Sequence, residues 1–301
     1  MPFFSIITPA YNREKMIAIT INSVLAQKFT DWELIIIDDG SKDKTREAVS
    51  TFEDVRIKYF YQNNAERSAA RNNGISKATG EFICFLDSDD EYLPQHLQTF
   101  YDYIASKNFE AAFYYAPSII KKHSGQTVSL MYDGPEHAAQ WAWHALLQNC
   151  GVCMPREFLD THQFPAEFNV WEDMHLWLRL LVQHKFYQLP EPLAVVHYHD
   201  DRSINNMFDN LDTRHIDKYA ACINHLFENY GNLLAPILTL DMRNQFLFDK
   251  YMTFAEIAAQ KGKLDKFKYL LHRALYYLPQ KKYSGYVWKL IAICLRNAIL
   301  K

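Results

Sequence analysis

Gly80-Glu-Phe-Ile-Cys-Phe-Leu-Asp87-Ser-Asp89-Asp90 is the stretch that decides how the rest of the chain is read. Phe82 to Leu86 is an unbroken apolar run of strand length, bounded by a glycine and an acidic turn, the pattern of a strand covered on both faces. Upstream, residues 3–8 form a short apolar, β-rich run, 33–37 a second strand of the buried type, and 55–61 reads as a third strand. Between the four lie helical patterns that run to about residue 27, from Ser41 or Asp43 to about residue 52, and over 68–78. Strands separated by helices of that length imply parallel β-α-β units with right-handed crossovers, hence an α/β fold. Ligands in such sheets sit beyond the carboxyl ends of the strands. Those ends here carry Pro9 and Tyr11, Asp38 and Asp39, and Asp87 and Asp89.

Further on, 111–121, 127–131 and 193–197 read as strands, and 136–148 and 172–183 as helices. Beyond about Asn205 the strand signal ends, and 213–230, 240–260, 264–278 and 286–300 read as helices. Residues 255–279 resemble one tetratricopeptide-type hairpin, too little for a solenoid. The expected division is therefore an α/β domain over 1–205 and a helical extension over 206–301.

Composition narrows the function classes. Apolar residues make up 49% of 301, enough for a packed core, and a net charge of −3 argues against nucleic-acid binding. Five cysteines at irregular spacing fit a reducing compartment, and Cys150-Gly-Val-Cys153 lacks the second pair of a structural zinc site, so it reads as packed thiols in a buried strand. The N-terminus lacks a signal peptide's basic region and cleavage site, and no apolar run reaches the ~20 residues that span a bilayer. A cytoplasmic protein, or one peripheral at the inner face of the membrane, is expected.

Five constellations are candidates for chemistry. Asp87 and Asp89, two residues apart at a strand end, suit a hard cation such as Mg²⁺ or Mn²⁺, which would neutralise a diphosphate; the plain alternative is an acidic turn in which Asp89 or Asp90 caps the next helix. Asp38-Asp39-Gly-Ser suits a base or ribose contact, or simply a capped turn. Arg67 and Arg71 share a helix face and suit a phosphate or base, or a solvated helix closed by Gly74. Glu172 and Asp173 open an amphipathic helix, where the dipole favours acids, and either could instead be a general base. His197-Tyr-His199 has the spacing of a ligand pair, although loop histidines are commoner.

Taken together, Ser5-Ile-Ile-Thr-Pro-Ala-Tyr-Asn12, Leu34-Ile-Ile-Ile-Asp-Asp-Gly-Ser41, Ala70-Arg-Asn-Asn-Gly-Ile75, residues 80–90 and 171–179 resemble, in order, the family 2 glycosyltransferases of the GT-A fold. The resemblance covers about residues 1–205. It implies an α/β nucleotide-binding domain with a mixed central sheet and an inverting transfer of a sugar from a nucleotide-sugar, a UDP-sugar foremost, to a glycan or lipid-linked acceptor in surface polysaccharide biosynthesis. It implies that Pro9 and Tyr11 border the base, Asp39 bonds the uracil and Arg71 helps hold the nucleotide. Asp87 would contact ribose or sugar and share the metal with Asp89, Asp173 would deprotonate the acceptor, and His199 would touch diphosphate or metal. Two positions depart from the pattern: Glu66 stands where the family often has glycine, and His197 where many members have arginine.

Two other classes compete. A nucleotidyltransferase would need a glycine-rich phosphate loop after the first strand, where this chain reads Pro9-Ala-Tyr-Asn-Arg. A carbohydrate-binding scaffold on a decayed core need not keep Asp39, Asp87, Asp89 and Asp173 together. Residues 261–301 carry ten Lys or Arg against Asp265 alone, so a membrane-surface role through Lys281, Lys282, Lys289, Arg296 and Lys301 is set beside a solvated helical cover.

Overall fold

The computed structural model describes residues 1–122, 125–129, 131–134, 136–198 and 211–277. The chain forms two compact units, Met1–Tyr198 and His199–Lys301.

The first unit opens with β1 (Phe4–Ala10), α1 (Ile17–Leu25), β2 (Trp32–Asp39), α2 (Thr45–Ser50), β3 (Ile57–Gln62), α3 (Glu66–Lys77) and β4 (Phe82–Phe85). β1 lies between β2 and β4 and runs parallel to both, and β2 is parallel to β3. Every residue of β2 and β4 is buried, as unbroken apolar runs in a sheet covered on both faces require. One face packs Ile6, Leu34, Ile36 and Cys84 against Ile17, Ile21 and Val24 of α1 and Leu97 and Phe100 of α4 (His96–Ser106). On the other face α3 approaches so closely that a Cβ on Gly74 would lie 2.5 Å from Ile7 Cγ2. Gly74 is thus inside the helix, not its C-cap, and its missing side chain lets α3 seat on β1.

Downstream the chain departs from the simple alternation. The expected single strand over 111–121 is two, β6 (Phe113–Tyr115) and β7 (Ser118–Lys122), because Pro117 has no N–H for a ladder. β6 joins the first sheet and β7 a second one, so the break at Pro117 is where the chain changes sheets. The main sheet reads β10-β6-β9-β4-β1-β2-β3, with β9 (Val152–Pro155) antiparallel to β4 and β6 and β10 (Phe186–Gln188) at the edge. The second sheet orders β5 (Glu91–Tyr92), β11 (Ala194–His197), β7 and β8 (Gly125–Val128). The helix expected over 136–148 is the shorter α5 (Ala138–Ala145), ended by Leu146 at φ 55°. A 3₁₀ turn (Asn149–Gly151), α6 (Phe158–Thr161) and α7 (Glu172–Leu181) complete the unit. Cys153 lies in β9 opposite Cys84, whereas Cys150 lies in the 3₁₀ turn; both are buried free thiols.

The second unit contains α8 (Thr213–Leu234), kinked at Tyr230, α9 (Leu240–Gln260) and α10 (Leu264–Tyr276). Gly262, at φ 65°, closes α9: its N–H bonds Ala259 O and that of Lys263 bonds Ala258 O, the pairing of a Schellman turn. The Tyr251 hydroxyl donates to Asp217 across the helices at 2.8 Å. The helix expected over 286–300 and its basic residues, with Cys294, lie outside the described residues.

The Gly74 contact is testable. Gly74→Ala is expected to force Ile7 aside and destabilise the protein by about 1–3 kcal/mol, the usual cost of overpacking, read as a lower urea midpoint.

Candidate functional site

Beyond the carboxyl end of β4 lies the start of α7, and the group that joins the two is Arg71 on α3. Its guanidinium is 2% exposed and makes two ion pairs of 2.8 Å, one to Asp87 at the tip of β4 and one to Glu172 at the start of α7. The ring of Phe164 lies 5.3 Å beneath it. Arg71 is therefore buried rather than solvated, and the two flanking carboxylates hold it firmly charged against the desolvation that opposes them. Arg67, one turn earlier, is 43% exposed at 4.0 Å from Glu172. The other oxygen of Asp87 accepts from the Asn149 amide at 3.3 Å, at the head of the 3₁₀ turn.

At the ends of β1 and β2 two loops are stitched together. Asn12 N–H donates to Ser41 Oγ, Arg13 N–H to Thr45 Oγ1 and Glu14 N–H to Asp43, while Lys42 N–H returns a bond to Asn12 Oδ1. Asp38 caps its own turn through Ser41 N–H and takes the Tyr59 hydroxyl at 2.5 Å. Asp39, 3% exposed, accepts from Gln62, Asn64 and Ala65 N–H, fixing the entry to α3. That entry is left-handed at Glu66, φ 71°, which is the physical reason a glycine would suit this position. Tyr11 is 42% exposed beside these loops, next to partly buried Pro9.

Asp173 follows Glu172 but is differently placed. It is partly exposed, and its carboxylate takes its neighbour's backbone N–H, from Met174, at 2.7 Å. Burial and the adjacent Glu172 charge push its pKa up to about 7, with Arg71 pulling the other way and Asp87 adding to the rise. Trp171, left-handed at φ 62° and packed edge-on against Trp143 at 5.5 Å, sets the angle at which α7 starts.

The candidates from sequence fall into groups. Asp87, Arg71 and Glu172 are in direct contact, with Asp173 electrostatically coupled to them. Asp89 lies beside Arg13, 3.6 Å from its guanidinium. Asp90 does not cap α4, whose first turn instead gives Leu97 N–H to Gln27; the Asp90 carboxylate takes His197 N–H. His197 pairs with Glu91, and His199 lies outside the described residues. Sequence reading missed Arg13, Asn149 and the bridging part of Glu172; only the neighbouring acid pair was visible for the last. Among the described residues no three His, Cys, Asp or Glu side chains form a ready metal-ligating group. Asp87 and Asp89 are nevertheless hard oxygen donors of the kind Mg²⁺ or Mn²⁺ takes alongside substrate phosphates, so the donor chemistry fits such an ion.

A family model described as "Glycosyl transferase family 2" matches residues 5–153. The Escherichia coli UDP-Glc:alpha-D-GlcNAc-diphosphoundecaprenol beta-1,3-glucosyltransferase WfgD is 37% identical over 184 residues, which cover 59% of this chain and 69% of that protein. The Campylobacter jejuni GalNAc(5)-diNAcBac-PP-undecaprenol beta-1,3-glucosyltransferase is 30% identical over 196 residues, or 62% of each chain. Among solved structures, S. aureus TarS 1-349 in complex with UDP-GlcNAc superposes with a TM-score of 0.61 over 93% of both chains at 18% identity, which shows a shared GT-A-type fold. The chain belongs to glycosyl transferase family 2 and is a glycosyltransferase.

Removing Arg71 leaves buried Glu172 with only the more exposed Arg67, 4.0 Å away, as a countercharge among the described residues. Arg71→Ala is expected to cost about 3–5 kcal/mol of stability, seen as a large drop in melting temperature.

Proposed function

We propose that this enzyme transfers a hexose, with inversion, from a UDP-sugar to a sugar carried on a polyprenyl diphosphate, with Asp173 as the base. The observation that carries this reading is the partly exposed Asp173 on the first turn of α7, next to Glu172 in the Arg71-linked carboxylate pair, where burial and the Glu172 charge push its carboxyl up to about 7. Two relatives named beta-1,3-glucosyltransferases with undecaprenol-linked acceptors support the substrate classes. UDP-glucose carries its sugar in α-linkage, so a β product requires inversion. In that step the acceptor oxygen attacks the anomeric carbon, its proton passes to Asp173, the bond to phosphate oxygen breaks and UDP leaves.

The remaining residues have parts to match. Tyr11 and Pro9 form a rim on which the uracil rests. Asp39 already accepts three hydrogen bonds, and a carboxylate has about four lone-pair positions, so a base N–H is a fitting fourth. Asp87, turned by Arg71 and Asn149, faces ribose or sugar. Arg71, itself buried, acts on the nucleotide by fixing Asp87.

Among the described residues the carboxylates of Asp87, Asp89 and Glu172 are matched by the guanidiniums of Arg13, Arg67 and Arg71, so a diphosphate would add negative charge without a partner. A divalent cation on Asp89 and Asp87 supports this balance and would stabilise the leaving diphosphate. No helix among the described residues is long and apolar enough to cross a membrane. A lipid-linked acceptor and the net +9 of residues 261–301 (ten basic, one acidic) favour a peripheral position on an anionic bilayer.

Donor turnover followed by UDP release, with Mn²⁺ and a panel of UDP-sugars, tests the reading; a protein that released no UDP with any donor and acceptor lipid would refute it. Asp173→Asn is expected to lower transfer by about 10²–10⁴-fold, the range for a general base, with UDP affinity within about twofold of wild type. In the wild type kcat/KM should rise with pH through an apparent pKa near 7, since only deprotonated Asp173 accepts the proton. Glu172→Gln removes the like charge and should move that limb downward. Flotation with anionic liposomes should be lost when the chain ends at about residue 280.

A further inference from the structure

Arg13 occupies an unusual place relative to the metal-binding carboxylates proposed above. Its backbone is pinned, since its own N–H bonds Thr45 Oγ1 while the residues on either side bond Ser41 and Asp43. Among the described residues its guanidinium makes long contacts, with Nη1 3.4 Å from Tyr11 O and 3.3 Å from Asn12 O, and Nη2 3.6 Å from Asp89 Oδ2. Its Nε is buried without a hydrogen-bond partner among the described residues. The Arg13 side chain is 26% exposed and that of Asp89 10%. A rigid stem thus carries a loosely tethered charge against a largely covered carboxylate.

A carboxylate so covered needs a countercharge, and a guanidinium and a dication compete for it because like charges this close repel strongly. We infer that Arg13 is an exchangeable counter-ion for Asp89: it neutralises the carboxylate in the metal-free protein, yields that place to the divalent cation, and turns to the donor's diphosphate. This rests on Asp89 being a metal ligand. The exchange makes metal and nucleotide binding mutually supportive, since the guanidinium displaced by one is delivered to the other. Arginine suits the second position because its planar fork matches phosphate oxygens.

The test uses the full chain and Mn²⁺ alone, measured by the electron paramagnetic resonance signal of unbound Mn²⁺. Arg13→Gln is expected to bind Mn²⁺ roughly fivefold or more tighter than wild type, because a competing charge is gone. Arg13→Lys, which keeps the charge, should stay close to wild type and also reports whether the loop tolerates replacement. With Mn²⁺ saturating, calorimetry should show Arg13→Gln binding UDP roughly fivefold or more weakly, having lost a charged phosphate contact. Equal or weaker Mn²⁺ binding by Arg13→Gln overturns the exchange, and unchanged UDP affinity overturns the transfer to diphosphate. Asp89→Ala separates the two ideas: if it binds Mn²⁺ as well as wild type, or if no variant binds Mn²⁺, the metal assignment itself fails.

Discussion

A buried guanidinium holds this site together. Arg71, from α3, cannot leave water without partners, and the two it finds come from elements far apart in sequence, Asp87 after β4 and Glu172 at the start of α7. An unpaired charge at that depth would cost several kcal/mol, so the three elements are bound to one arrangement. The close seat of α3 on β1 at Gly74 sets the depth at which the guanidinium sits. Core packing and site geometry are here one constraint, because moving the helix outward would move the cation away from both carboxylates.

That constraint also separates two neighbouring acids. Glu172 is 3% exposed and committed to Arg71, whereas Asp173 is partly exposed, and its carboxyl is raised by burial and by Glu172 itself. Two carboxyl groups adjacent in sequence thus reach different states in their surroundings, one held in an ion pair and the other raised toward neutral pH, as the proposed base requires. The helix dipole, enough to explain why acids open α7, does not explain this difference. It follows from burial and the adjacent Glu172 charge at Asp173, while Glu172 itself is paired directly with the guanidinium.

The centre of the sheet was legible in the sequence because β1, β2 and β4 are buried on both faces, and such strands declare themselves as apolar runs. The acidic turns at their ends were legible for the same reason, since each interrupts such a run. Arg71 was visible as half of an Arg67/Arg71 pair, but spacing alone treats the two alike, and only tertiary packing makes one buried and the other 43% exposed. Arg13 and Asn149 gave no signal: each acts on a carboxylate distant in sequence, in a loop and a 3₁₀ turn without periodicity. The two-residue β5, the edge strand β10 and the break at Pro117 were missed because two or three residues carry no readable period, and because pairing partners decide which sheet a strand joins.

The backbone around the site carries strain that composition does not announce. Asn12, Glu66 and Trp171 all lie in the left-handed region, at φ 52°, 71° and 62°, and each stands in a connection leading into a helix beside the site. Asparagine tolerates this conformation, while glutamate and tryptophan pay about 1–2 kcal/mol for it. Each is held there by its surroundings: Asn12 by Ser41 and Lys42, Glu66 by the Asp39 bond to Ala65, Trp171 by burial against Trp143. Relaxing any of them would redirect the backbone that follows, which carries Arg13 in its loop, Arg71 on α3 and Asp173 on α7. The strain is therefore tolerated where it aims the charged groups, and the polar bonds of Asp39 hold the entry to α3 that positions Arg71.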